Sequence, residues 1–252
     1  MRKILTIACI GVLGFSAMVS AQTYRRDISF SDPNKPGTVK MELWYGDVNV
    51  RGAQDKKVVV IYRFEPRSLA SSGLASGGRR SDLDISEVNN LVRISRPPSR
   101  RDINDPMDVD VQLPVNTNLI VNMRGGNVDV NQLAGSIEVS NQKGNVKLLN
   151  LTGSAVVSTV NGGVKAVFNR VNPNAAMSFV SMNGDVDVTL PRATQANVTL
   201  QTYEGDISTD FVVNRWQQNA GWGQKVVAGR INKGGAALKL STINGNIRLR
   251  AK

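Results

Sequence analysis

Residues 238–249 read LKLSTINGNIRL, with apolar and polar positions alternating on both sides of an Asn-Gly pair. The same template recurs at 119–130 (LIVNMRGGNVDV), 137–148 (IEVSNQKGNVKL), 155–166 (AVVSTVNGGVKA), 177–188 (MSFVSMNGDVDV) and 198–209 (VTLQTYEGDIST), with one copy near the start at 39–50 (VKMELWYGDVNV). Alternation with period two predicts a strand buried on one face. Each copy therefore predicts strand, corner, strand. Gly46, Gly126, Gly144, Gly162, Gly184, Gly205 and Gly245 supply the corner with a residue that tolerates positive φ. The Asn or Asp beside most of them is expected to bond back to its own backbone. Asn-Gly is also a favoured two-residue hairpin turn, so a single copy could equally be an unrelated hairpin.

Spacing favours stacking. The template glycines recur at intervals of 18, 18, 22, 21 and then 40 residues, close to two steps. Such periods build solenoids, in which each unit buries its inner face only against its neighbours. The predicted fold class is all-β, a β-solenoid of 18–22-residue strand-turn-strand repeats; a twisted multi-strand β-sandwich is the alternative. Asn141, Thr159, Ser181, Thr202 and Thr242 share one template position and would form a polar ladder at a corner. The first third is less regular. Residues 58–62, 91–94 and 109–113 read as strands, 66–81 as a Ser/Gly loop and 95–106 as a Pro-punctuated one. The expected organisation is a signal peptide (1–21), irregular N-terminal β coils or a cap (22–115) and a regular repeat region (116–252), the last two forming one continuous domain.

The segments VDVQLPVNTNLIVNMRGGNVDV (109–130), VDVTLPRATQANVTLQTYEGDIST (186–209) and GGAALKLSTINGNIRL (234–249) carry a family likeness. Over roughly residues 37–252 the chain resembles the bacterial β-strand-repeat family of unknown function catalogued as putative adhesins. The resemblance implies an exported all-β repeat protein. It brings no catalytic residues with it.

Composition narrows the chemistry. Arg2 and Lys3 precede an apolar run from 4 to 19 and the small-residue junction Val19-Ser20-Ala21, which predicts a secretory signal peptide cleaved after Ala21 and no membrane span thereafter. An exported product is expected, periplasmic, cell-surface or secreted. The one cysteine, Cys9, lies inside the apolar run, so the mature chain has no thiol, and there is no histidine. Zinc sites of the usual type, Cys-His pairs and Ser-His-Asp triads are thereby excluded. No cofactor is implied.

The formal net charge of +11 is unevenly spread: residues 211–252 contain eight Lys or Arg and no Asp or Glu. Arg215, Trp216, Trp222, Lys225, Arg230, Lys233, Lys239, Arg248 and Arg250 form the candidate binding set. Basic side chains would attract anionic glycan, lipopolysaccharide or an envelope protein, with tryptophan as a stacking platform. The same charges on a terminal strand also serve to block edge-to-edge aggregation. Nucleic acid is not expected, because no recognition helix or aromatic RNA-binding motif is present.

An enzymatic reading finds little. Asp102, Asp105, Asp108 and Asp110 are the densest acidic group, too few for the roughly 6–8 oxygens calcium takes, and read as a solvated strand entrance. GLASGG (73–78) lacks the following Lys-Ser/Thr of a phosphate loop. The expected function is a non-enzymatic surface or envelope protein that binds anionic polymers or a protein partner. A self-assembling envelope element is the alternative, and a polysaccharide-active enzyme a distant third.

Overall fold

The computed structural model describes residues 22–64, 83–96, 106–215 and 223–252. The described residues are all strand and connection, arranged as one ten-stranded and one eleven-stranded sheet, both mixed. Every template copy gives its first half to the eleven-stranded sheet and its second half to the ten-stranded one. Thus Asn118–Gly125 pairs in parallel with Ser136–Lys143, while Val128–Asn131, the second half of the same copy, pairs in parallel with Val146–Leu151. The strands predicted at 58–62, 91–94 and 109–113 are present as Lys57–Phe64, Leu91–Ser95 and Met107–Pro114.

Register follows from the alternation. Val48, Val109, Val128, Val146, Val164, Val186, Ile247 and Ile207 occupy equivalent positions and form one ladder inside the ten-stranded sheet. Met41, Ile94, Val121, Val139, Val157, Phe179, Leu240 and Leu200 form another inside the facing sheet. Apart from partly buried Ile207, which packs against it, these side chains belong to one continuous buried cluster, bridged where Phe168 and Phe179 meet edge to face at 6.1 Å. A fully buried aliphatic side chain contributes roughly 1.5–3 kcal/mol, so ladders of this length stabilise a chain without disulfides.

The order of the layers departs from the order of the sequence at both ends. From 118 to 190 successive copies stack in sequence. The last copy does not lie at the end: Ala237–Ser241 sits between Met177–Asn183 and Ala196–Thr202, and Ile247–Ala251 between Val186–Leu190 and Ile207–Thr209. At the other end Thr38–Tyr45 and Val48–Ala53 lie inside the layer made by Leu91–Ser95 and Met107–Pro114. The cause at the C-terminal end is a hairpin. Lys225–Ile231 runs antiparallel along the outer edge of Ala196–Thr202 and is itself covered by Val213–Arg215, so the returning chain enters on the inner side. The opposite end is closed likewise by antiparallel strands Gln22–Ser29, Lys57–Phe64 and Asp84–Val88. Arg248, Arg250 and Lys239 are therefore not on edge strands, which corrects the edge-protection reading for them. Of the basic set, Arg215 does lie on an edge, in Val213–Arg215.

The corners stack in register as the template predicts, but their chemistry runs between layers. A Cβ on Gly126 would lie 1.9 Å from the Gly46 carbonyl oxygen, so backbone passes over backbone with no room for a side chain. Gly162 and Gly245 do not have positive φ. There, close approach alone demands glycine. The Asx residues also bond across layers, not to their own backbone as expected. Asp47 Oδ1 accepts from the Asn127 amide, Asn127 Oδ1 from Asn145, Asn145 Oδ1 from Gly163, then Asp185 Oδ1 from Asn246 and Asn246 Oδ1 from Asp206. The predicted polar ladder is buried and does the same with carbonyls. Ser181 donates to Gly162, Thr242 to Gly184, Thr202 to Gly245 (each 2.9 Å), and Asn141 to Gly126.

Candidate functional site

With the two inner faces spent on the core, only outward side chains and corners remain for recognition. The layer order decides which of them meet. Lys239 points outward from the eleven-stranded sheet, flanked by buried Leu238 and Leu240, while Arg248 and Arg250 point outward from the ten-stranded sheet, flanked by buried Ile247 and Leu249. The two sheets enclose a common core, so these cations lie on opposite faces of the molecule.

On the ten-stranded face the positive charge of the candidate set is matched. Arg248 Nη1 lies 2.8 Å from Asp185 Oδ2, at the corner just before Val186–Leu190, and Arg250 Nε 3.0 Å from Asp187 Oδ1 within that strand, both reaching diagonally across to the neighbouring layer. At the corner between the sheets Lys225, the first residue of Lys225–Ile231 in the eleven-stranded sheet, is paired as well, its Nζ 2.6 Å from Asp206 Oδ1. The Asn246 amide, with the Arg248 guanidinium behind it, holds the Asp185 carboxyl below the usual carboxylate range despite partial burial. The Lys225 ammonium lowers Asp206 likewise.

On the eleven-stranded face it is not. Arg230 stands opposite Asn197 on the antiparallel strand, and Lys239 opposite Thr199 on the parallel one, so both flank Ala196–Thr202. Lys233 follows in the turn after Ile231, where Asn232 in a left-handed conformation donates to the carbonyls of Arg192 and Thr194. That contact brings exposed Arg192 to the same corner. Arg192 is a cation the sequence reading passed over, because its own repeat is unremarkable in charge. No described carboxylate is ion-paired with Arg192, Arg230, Lys233, Lys239 or Arg215. Trp216 and Trp222 lie outside the described residues.

A second feature of this face was also missed. The sixth template position holds Trp44, Arg124, Gln142, Val160, Met182, Ile243 and Tyr203 in spatial order, and its last four members are exposed, from 38% at Val160 to 47% at Tyr203. One position further, Asn161, Asn183 and Asn244 are joined side chain to side chain at 2.8 and 2.6 Å, which holds these layers in register. Toward the other end Arg124 covers the Trp44 ring at 4.1 Å beside an open groove of about 680 Å³.

The acidic group carries no site. Asp108 accepts the Asp47 amide, and Asp110 is held by Asn49 and Arg63, while Asp102 and Asp105 lie outside the described residues. Among the described residues no three acidic, Cys or His side chains are grouped to hold a metal. No described helix is long and apolar enough to cross a membrane.

Comparison with solved structures finds a "putative cell adhesion protein" from Clostridium sporogenes ATCC 15579, 13% identical, with 92% of this chain and 100% of that one covered and a TM-score of 0.55, which shows a shared fold. A "putative adhesin" from Bacteroides fragilis NCTC 9343 is 9% identical, with 93% and 99% covered and a TM-score of 0.29. One from Parabacteroides distasonis ATCC 8503 is 10% identical, with 92% and 98% covered and a TM-score of 0.27. No curated protein matches the chain. The Toastrack DUF4097 family model matches residues 17–250, across both sheets and all the template copies, and the chain belongs to that family.

Proposed function

We propose that the chain is an exported, non-enzymatic binding scaffold of β-solenoid type that attaches to anionic polymers of the cell envelope through its C-terminal layers. The observation that carries this reading is the division of the basic residues. Arg248 and Arg250 on the ten-stranded face and Lys225 at the corner are tied to carboxylates, whereas Arg230, Lys233, Lys239 and Arg192 gather at the C-terminal end of the eleven-stranded face with no such partner. Unpaired cations on a rigid surface attract phosphate- or uronate-bearing chains, including lipopolysaccharide, or an acidic envelope protein. The name carried by the Clostridium sporogenes protein suggests a role of the same class, attachment instead of turnover. Residues 1–21, read as a signal peptide, support a place in the periplasm, on the cell surface or outside the cell.

Binding of the full chain to immobilised polygalacturonate at low and high salt tests the proposal. Arg230→Glu with Lys239→Glu is expected to weaken binding, and salt to weaken it in the unaltered chain. Binding that ignores both the double reversal and the salt would overturn it.

A further inference from the structure

The unpaired cations share their face with the exposed apolar row, and the two adjoin at Ala237–Ser241 and Ala196–Thr202. On Ser154–Asn161, Met177–Asn183, Ala237–Ser241 and Ala196–Thr202, and just past the ends of the last two, the outward side chains form three parallel files. One file holds Val156, Ser178, Lys239 and Thr199; the next Ser158, Val180, Ser241 and Gln201; the third Val160, Met182, Ile243 and Tyr203. None of these side chains is acidic. Two exposed acidic groups stand at the borders: Glu204, just past Tyr203 and bridged by its backbone to Asn244, and Glu138, the register partner of Val156 on the next strand. Beyond the first file stand Arg230 and Lys233. In the layers toward the N-terminal end the third file changes to Gln142, Arg124 and Trp44. The third file is thus apolar throughout these four neighbouring layers, while exposed Val88 stands apart on the edge strand Asp84–Val88 at the other end of the sheet.

A soluble polysaccharide has use for the cations and none for Met182, Ile243 or Val160. An amphiphile with an anionic headgroup uses both. Strands stand about 4.8 Å apart, so four neighbouring apolar side chains form a file about 15 Å long, fixed by the asparagine ladder beside it. We propose that this half of the eleven-stranded face docks on an anionic lipid bilayer, the apolar file entering the headgroup boundary while Lys239, Arg230 and Lys233 meet lipid phosphates. The proposal rests on the unpaired basic residues of the proposed function and narrows their partner to a lipid surface.

The test places an environment-sensitive fluorophore at position 243 by Ile243→Cys in a full chain carrying Cys9→Ser, with a second labelled chain at Lys165→Cys on the opposite face as control. On vesicles of phosphatidylglycerol and phosphatidylcholine the label at 243 is expected to shift to shorter wavelength and that at 165 to stay unchanged. Neither should shift on phosphatidylcholine alone. Met182→Asn with Tyr203→Asn should weaken vesicle binding yet leave polygalacturonate binding intact, whereas Arg230→Glu with Lys239→Glu should weaken vesicle binding roughly tenfold or more. A label at 243 that keeps its aqueous emission on anionic vesicles overturns the lipid proposal. If polygalacturonate binding survives in that case, the partner is a soluble polymer, and if it too is absent, the reading of the basic face fails with it.

Discussion

A Cβ on Gly245 would stand 2.3 Å from the carbonyl oxygen of Gly184 in the layer beneath. Backbone on both sides leaves nothing flexible to give way, and Ile247–Ala251 is paired along both edges. Gly245→Ala is therefore expected to destabilise by about 3 kcal/mol or more, the upper range for overpacking. Thermal and urea unfolding of the variant measure this.

Gly163 offers the opposite case. A Cβ there meets nothing closer than 3.4 Å, and its φ is not positive. It interrupts the Asx column between Asn145 and Asp185, so Gly163→Asn would restore an acceptor facing the next layer. Stabilisation by about 0.5–1 kcal/mol is expected, read as a raised urea midpoint with unchanged slope.

Thr242→Val should cost about 1–3 kcal/mol, because the buried Gly184 carbonyl loses its hydroxyl donor at 2.9 Å. Thr242→Ser keeps the donor, as Ser181 does two layers' worth of sequence earlier, and should cost much less. The pair of unfolding curves separates the hydrogen bond from the packing.

How much of this was legible beforehand depends on the level. The template fixes strand, corner and buried face, since alternation and glycine act within a dozen residues. It cannot fix layer order, because Val186, Ile247 and Ile207 present interchangeable rungs to one another. The hairpin of Val213–Arg215 with Lys225–Ile231 decides that order, and nothing in its residues announces an outer edge. For the same reason the basic set, contiguous in sequence, is divided between two faces. The apolar file escaped notice because its position varies in type from Trp44 to Gln142 to Ile243, and only stacking brings its apolar members together.

Asp185 makes stability sensitive to acid. Its folded carboxyl titrates below the unfolded one, so its contribution is present above the ordinary carboxylate pKa of about 3.9 and is lost as pH falls below it. Asp185→Asn keeps an acceptor for the Asn246 amide but not the Arg248 ion pair. Its unfolding midpoint should vary less than that of the unaltered chain between about pH 4 and pH 2.

Arg250→Glu would set two like charges against each other at Asp187 on the face away from Lys239. A lower melting temperature with unchanged polygalacturonate binding is expected. Loss of binding at unchanged stability would return Arg250 to the recognition surface.

Every surface described here follows from the last copy lying between the layers of 177–190 and 196–209. Paired cysteines in a chain carrying Cys9→Ser test that directly, since neighbouring strands bring Cα atoms within disulfide reach and second neighbours, about 10 Å apart, do not. Val180→Cys with Ser241→Cys, and Ser241→Cys with Gln201→Cys, should each oxidise to an internal disulfide, because these residues are register partners. A disulfide between Val180→Cys and Gln201→Cys, with none between 180 and 241, would mean that the last copy lies outside, and would contradict the layer order.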